Sequence, residues 1–221
     1  MHQNKTIRVD KFHPDSDIIN QAAGILNTGG LVIFPAAYLY GIAANAMSAD
    51  AVEKVFQLKQ RPRNNPILVL IKNTDQLGGL VKNIPDNALK LMDNFWPGGL
   101  TLVFNAANSV CRKLTAGSSK IGIRLPGHPV ASALVNSVDF PVTGTSANLS
   151  GRPGCMQTNM LSPEIVEKTD LILNAGPVQG GAGSTVVDVT CTPPKILREG
   201  AVPATDIYAC LKKRVLPLAP S

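Results

Sequence analysis

Residues 121–143 decide the fold: Ile121-Gly122-Ile123-Arg124-Leu125, then Pro126-Gly127-His128, then Pro129-Val130-Ala131-Ser132-Ala133-Leu134-Val135-Asn136, and after a short turn Pro141-Val142-Thr143. The first run is short, mostly apolar and rich in isoleucine, which predicts a buried strand over 121–125. Pro129 suits the first turn of a helix, where its missing N–H has no partner to lose, and the helix is expected to reach about Asn136. Pro141 to Thr143 then begins a further strand. One stretch thus holds strand, helix and strand, the unit of an α/β protein.

The same alternation extends upstream. Ser16 is a candidate cap for a helix whose apolar residues Ile18, Ile19, Ala22, Ala23 and Leu26 recur at three and four, with Gly29-Gly30 ending it. Leu31 to Phe34 reads as a buried strand. Ser48 opens a second helix that cannot continue through Pro62, so Lys59 and Arg61 fall at a helix end. Ile67 to Ile71 is expected as a strand, Asp86 to Phe95 as a helix, and Leu100 to Phe104 as a strand following the Trp96-Pro97-Gly98-Gly99 turn. Downstream, short strands near Leu171, Val186 and Ile196 crowd together before a last helix from about Thr205 to Lys213. Helices alternate with strands early and strands cluster late, which predicts an α/β fold with a mixed twisted open sheet and flanking helices. Residues 1–14 read as an N-terminal segment, 15–202 as one domain, and 203–221 as a helix and tail packed on or trailing it, with Leu216 to Ser221 frayed.

The chain has 221 residues, of which 44% are hydrophobic and 16% charged, the balance of a packed globular protein. Its net charge of +6 favours anionic partners such as nucleotides or RNA. The four cysteines, Cys111, Cys155, Cys191 and Cys210, form no C-x-x-C pair, which argues against a zinc or redox site and for a reducing compartment. Met1 to Asp15 is polar, and no apolar run approaches the ~20 residues of a membrane span. A cytoplasmic protein is expected. The P-loop, G-x-G-x-x-G, H-E-x-x-H and G-x-S-x-G patterns are missing, and with only His2, His13 and His128 a histidine triad or metal site is disfavoured.

Four segments are suited to chemistry, and each also has an ordinary structural reading. Lys59-Gln60-Arg61-Pro62-Arg63-Asn64-Asn65-Pro66 offers three cations and neighbouring amides for phosphate oxygens, or is a solvated loop at a helix end. Thr145-Ser146-Ala147-Asn148-Leu149-Ser150-Gly151 is either an anion-cradling turn or a polar one. Arg124 closes a buried strand and needs an anionic partner, supplied by a substrate carboxylate or by an internal ion pair. His128, before Pro129, reads as a helix cap or packing residue. Gly183-Ser184-Thr185-Val186-Val187-Asp188 and Ile196-Leu197-Arg198-Glu199-Gly200 place a hydroxyl and an arginine at strand ends.

In order, these segments resemble the YrdC-like threonylcarbamoyl-adenylate synthase family. The matching residues are Pro35…Tyr40-Gly41, Lys59…Arg61-Pro62…Asn65-Pro66, Phe95-Trp96-Pro97-Gly98, Arg124…Pro126…His128-Pro129, Thr145 to Gly151, Gly183 to Asp188 and Ile196-Leu197-Arg198…Gly200. The length predicts the short, single-domain form. The resemblance implies a basic concave face on a YrdC-like domain. It also implies a reaction in which threonine, bicarbonate and ATP give threonylcarbamoyl-adenylate and pyrophosphate, towards threonylcarbamoyladenosine in tRNA. It assigns Lys59 and Arg61 to catalysis, Lys59, Arg61, Asn65, Ser146 and Arg198 to ATP, and Tyr38, Arg124 and Ser184 to the amino-acid substrate, with no metal held by the protein and magnesium arriving as the counter-ion of ATP. Weak binding to tRNA or double-stranded RNA is a further expectation.

The sequence departs from the family at Ala36-Ala37-Tyr38, where Thr-Glu-Thr or Thr-Asp-Thr is usual, at Leu70 in place of a histidine, at Lys120 in place of a threonine, and at Gly154. Tyr38, Leu70 and Lys120 are expected to make the amino-acid pocket smaller, more apolar on one wall and more positive on another, so that threonine binds poorly. Two other readings stand beside the synthase. One is a non-catalytic relative binding nucleotide or double-stranded RNA, and the other an enzyme forming a carbamoyl-adenylate with a different acceptor.

Overall fold

Helix α1 (Ser16–Asn27) is capped by Asp15, not by Ser16: the Asp15 carboxylate accepts from the backbone N–H groups of Asp17 and Ile18. A carboxylate at that position also meets the positive end of the helix dipole, an advantage a serine lacks. Helix α2 (Ala49–Lys59) is capped by Ser48 as its sequence suggests, and it ends at Gln60, which adopts a left-handed φ of 49° before Pro62. Helix α3 (Asp86–Phe95) and helix α4 (Pro129–Asn136) occupy the spans expected of them. His128 is the cap of α4, its Nδ1 accepting from Val130 N at 3.2 Å. Burial, followed by the nearby charge of Lys11, lowers the His128 pKa to about 4, so the ring stays neutral and keeps that lone pair free.

The computed structural model describes residues 5–212. The expected tail from Leu216 to Ser221 lies outside them. Strands are β1 (Thr6–Arg8), β2 (Val32–Pro35), β3 (Tyr40–Ala43), β4 (Val69–Leu70), β5 (Leu100–Asn105), β6 (Lys120–Arg124), β7 (Val142–Thr143), β8 (Thr145–Ser146), β9 (Leu171–Asn174), β10 (Thr185–Asp188) and β11 (Lys195–Arg198). Short helix α5 (Pro163–Glu167) precedes β9, and α6 (Ala204–Lys212) packs beside α3.

The strands form two mixed sheets where the sequence suggested one. The first has the order β1-β9-β2-β3-β8 and the second β11-β10-β5-β6-β4-β7. The chain crosses between them at Gly144, from β7 directly into β8, and an isolated bridge between Asn45 and Val142 runs alongside. Only glycine fits at that crossing, since a Cβ would lie 2.6 Å from a Leu68 methyl and 2.9 Å from the Leu70 side chain. Strand β3 went unread because Tyr40-Gly41-Ile42-Ala43 is buried on both faces and shows no alternation, and its glycine lowers its strand character. The N-terminal residues 6–8 pair in parallel with β9 at the edge of the first sheet.

Two apolar cores result. One gathers the inner faces of α2 and α3 with β5, β6 and Ile207 of α6. The other joins α1 and α4 to β2 and β9. Facing pieces of the two sheets leave a cleft between them, into which the strand ends of β6, β8 and β11 project.

Candidate active site

The cleft holds a cavity of about 490 Å³. Among the residues singled out by sequence, Tyr38, Arg61, Arg124, Ser146, Ser184 and Arg198 all line it. Residues separated by up to 160 positions therefore converge on one space.

Arg61 is held by the loop that follows α2. Its Nε donates to the Asn65 carbonyl at 3.0 Å and its Nη2 to the Pro66 carbonyl at 2.8 Å. Arg198, at the end of β11, donates through Nη2 to the Ser184 carbonyl at 2.7 Å and to Ser184 Oγ at 3.3 Å. Ser184 Oγ also shares a 2.8 Å hydrogen bond with Thr101 Oγ1. Thr101 was missed in the sequence. Its signal was the strand period, because Thr101 and Val103 of β5 face the cavity on the same side.

Arg124 stands at the end of β6. Its Nε is shielded from solvent and has no hydrogen-bond partner among the described residues. Burial lowers its pKa to about 10, Tyr38 nearby favours the charged form, and Arg198 opposes it. Even so lowered, the group remains a cation at neutral pH. No carboxylate among the described residues pairs with Arg61, Arg124 or Arg198. Three guanidinium groups thus face one cavity with no internal counter-charge.

Lys59 and Asn65 do not line the cavity. Lys59 is 1% exposed, and its ammonium donates to the carbonyls of Ser146 and Asn148, the latter at 2.7 Å, from behind β8. Burial and then the charge of Arg61 lower its pKa to about 7. Asn65 is exposed, and what it gives to the site is the backbone carbonyl that holds Arg61.

The departures from the family pattern fare differently. Ala36 and Tyr38 line the cavity, and the Tyr38 hydroxyl lies against Gly99, where a Cβ would be 3.0 Å away. The loop bearing Tyr38 is pinned by hydrogen bonds from Gln179 N to the Ala37 carbonyl and from Gly180 N to the Tyr38 carbonyl. Leu70 does not reach the cavity. Its side chain is fully buried in the core beneath α4, packed with Val142 and Val130, so it forms no apolar wall of the pocket. Lys120 lines the cavity but adds little net positive charge, because its ammonium is 2.7 Å from Asp188 Oδ2. Sequence alone offered no sign of that pairing, since the two residues lie on different strands with β5 between them.

Among the described residues no group of three His, Cys, Asp or Glu side chains is placed to hold a metal ion. Asp188, the partner of the cavity-lining Lys120, is engaged by that ammonium and by the Thr190 backbone and hydroxyl. No helix among the described residues is long and apolar enough to cross a membrane.

Residues 24–200 match the Sua5/YciO/YrdC family model, which carries the description "Telomere recombination". The threonylcarbamoyl-AMP synthase of Pyrococcus abyssi is 38% identical over 189 residues, 86% of this chain and 56% of that protein. The putative threonylcarbamoyl-AMP synthase of Mycobacterium tuberculosis H37Rv is 37% identical over 184 residues, 83% of this chain and 84% of that protein. Among solved structures, P. abyssi Sua5 complexed with L-threonine superposes with a TM-score of 0.87 at 35% identity, covering 94% of this chain and 61% of that one. The chain therefore spans well under two thirds of the length of the Pyrococcus protein.

Proposed function

Because this chain belongs to the Sua5/YciO/YrdC family, we propose that it is an L-threonylcarbamoyladenylate synthase, a nucleotidyltransferase acting on threonine, bicarbonate and ATP in tRNA threonylcarbamoyladenosine formation. The observation that carries this reading is the cavity with three guanidinium groups that, among the described residues, have no carboxylate partner, one of them with a solvent-shielded Nε that has no hydrogen-bond partner there either. Such a site is complementary to a molecule bearing both a carboxylate and phosphates.

In the reaction the threonine amino group adds to bicarbonate with loss of water, giving a carbamate. A carbamate oxygen then attacks the α-phosphorus of ATP, the bond to the bridging oxygen breaks, and pyrophosphate leaves. Arg124, assisted by the Ser184 hydroxyl and facing Tyr38, holds the substrate carboxylate. Arg61 and Arg198 neutralise the phosphate oxygens, and Ser146 hydrogen-bonds the nucleotide. Catalysis of this kind comes from positioning and charge, so it needs no histidine base. Magnesium enters with the nucleotide as MgATP, since Asp188 is occupied. Lys59 acts from behind β8 and Asn65 through its carbonyl. The protein is placed in the cytoplasm, with weak, salt-sensitive binding to tRNA or double-stranded RNA on the basic face.

Pyrophosphate release measured with each component omitted in turn tests the reading. Release that requires threonine, bicarbonate and ATP together is expected, and threonine-independent release would overturn it. Tyr38→Thr, which opens the cavity beside Arg124, is expected to lower KM for threonine.

A further inference from the structure

Of the cations that follow one another at the end of α2, Lys59 binds backbone carbonyls and Arg61 lines the cavity, but Arg63 turns elsewhere. It lines a second pocket, of about 280 Å³, together with Phe56, Arg112, Lys113, Ala116 and Gly117, none of which lines the first.

Arg63 is held as a flat plate. Its Nη1 and Nη2 donate to the two carboxylate oxygens of Glu53. Its guanidinium carbon stands over the Phe56 ring, 5.3 Å from the ring centre. Phe56 is only 2% exposed, so the guanidinium closes over it, yet the Arg63 side chain itself is 62% exposed. One face of the guanidinium thus rests on an aromatic ring while the other is open. The fork with Glu53 fixes the plane in advance, so little freedom is left to lose when a second ring is laid on it.

The facing wall comes from the loop between β5 and β6. Ala116 and Gly117 take left-handed φ values of 52° and 75°, and Gly117 N closes the turn on the Arg112 carbonyl at 3.0 Å. The loop is tied to the segment after Arg63 by Ile67 N, which donates to the Leu114 carbonyl at 2.9 Å. Lys113 reaches Glu53 at 3.0 Å. Arg112 is exposed, and its side chain has no hydrogen bond or ion pair among the described residues. Three cations against the one carboxylate of Glu53 leave two positive charges in excess beside the open guanidinium face.

We infer that this pocket is a second nucleotide site, separate from the cavity, in which the base of an unpaired nucleotide stacks on the open face of Arg63 and its phosphate meets Arg112 and Lys113. Bases stack on arginine planes as they do on aromatic rings, and phosphates take charge-assisted hydrogen bonds from the cations beside them. A carboxylate of an acidic peptide would use the charge and leave the plane without a role. A free mononucleotide and a residue of single-stranded RNA present the same base and phosphate, and the test separates them.

Magnetic-resonance titration of isotope-labelled protein locates binding through the Gly117 amide and Arg63 Nε signals. The ligands are AMP, ribose 5-phosphate, which keeps the phosphate and lacks the base, and a single-stranded RNA heptamer. The proteins are the wild type, Arg63→Lys, which keeps the charge and loses the plane, and Arg112→Ala. AMP should move both signals of the wild type, with ribose 5-phosphate at least about fivefold weaker. Followed at Gly117, Arg63→Lys should weaken AMP at least about fivefold and leave ribose 5-phosphate within about twofold, whereas Arg112→Ala should weaken the two alike. A heptamer bound more than about tenfold tighter than AMP identifies RNA as the source, and one bound less tightly than that identifies the free nucleotide. The inference is overturned if AMP moves only signals of the cavity, such as that of Gly122, if ribose 5-phosphate binds at Gly117 as tightly as AMP, or if Arg63→Lys binds AMP there as the wild type does. Because the cavity has signals of its own, the outcome is independent of the synthase reading.

Discussion

Lys59, a buried cation, and Arg124, partly buried with its Nε shielded, both lack a carboxylate partner among the described residues, yet they are treated in opposite ways. Two of the three Lys59 ammonium donors are taken up by main-chain carbonyls, those of Ser146 and Asn148, and the Lys59 carbonyl in turn accepts from Ser150 N at 2.8 Å. Arg124 has a shielded Nε with no acceptor among the described residues, and it faces a cavity. A buried cation costs several kcal/mol in lost hydration unless hydrogen bonds replace the water. At Lys59 the fold supplies them, and the residue ties down the turn 145–151. At Arg124 the fold withholds them, and in the proposed synthase reading a substrate anion is the compensating partner. Two residues that one list of site residues would treat alike are thus separable by their hydrogen bonds.

The largest effect should come from removing the cation bound to the backbone. Lys59→Ala takes a donor from the Asn148 and Ser146 carbonyls, the latter keeping its bond from Asn148 N, and opens a cavity, and about 3 kcal/mol of folding stability should be lost in urea unfolding. If the protein unfolds at an unchanged urea midpoint, Lys59 is not the structural member of the pair.

Next in size are Arg61→Ala and Arg198→Ala, each expected to weaken ATP by about 1.5–3 kcal/mol in calorimetry while stability stays nearly constant. Both guanidinium groups use some N–H donors to hold backbone carbonyls and direct the rest to the cavity, so they stand between Lys59 and Arg124 in kind. Unchanged ATP affinity in both variants would remove the nucleotide from this end of the site.

A smaller signature is a pH dependence confined to Lys59. Its folded-state pKa is about 7, against 10.5 for a free lysine. Between these values the unfolded chain binds more protons than the folded one, so the unfolding free energy contributed by this group rises with pH. Below pH 7 the cost of the buried charge is complete, and it is relieved as pH climbs towards 10.5. The stability difference between wild type and Lys59→Met should therefore shift in favour of the wild type between pH 7 and 9. A pH-independent difference would mean that the carbonyls hold the ammonium at its ordinary value.

Smallest is Thr101→Val, which deletes the hydroxyl that fixes Ser184 Oγ. Its cost should be about 1 kcal/mol in threonine affinity, and an unaltered affinity would make Ser184 a bystander.

The sequence carried much of this architecture because the helices obey local rules. The Ser48 cap, the Pro129 start and the Trp96-Pro97-Gly98-Gly99 turn are each decided within a few residues. The division into two sheets was not legible, because it depends on Gly144 passing between Leu68 and Leu70, a contact that no local pattern encodes. The same holds within the site. Arg61, Arg124, Ser146, Ser184 and Arg198 were found from their motifs and do meet at one cavity. That Lys59 turns away from it, that Leu70 belongs to the core and that Lys120 is neutralised by Asp188 are matters of tertiary pairing. Residue type at a motif position cannot distinguish a cation that binds a ligand from one that binds the backbone.

The most direct test of that distinction is calorimetric titration of L-threonine into the wild type and Arg124→Ala, with urea unfolding of both proteins alongside. Arg124→Ala should lose about 2 kcal/mol of threonine affinity and keep the wild-type stability to within about 1 kcal/mol, because an uncompensated cation is removed. Threonine bound equally well by both proteins, or a loss of stability as large as that of Lys59→Ala, would contradict the assignment of Arg124 to the substrate.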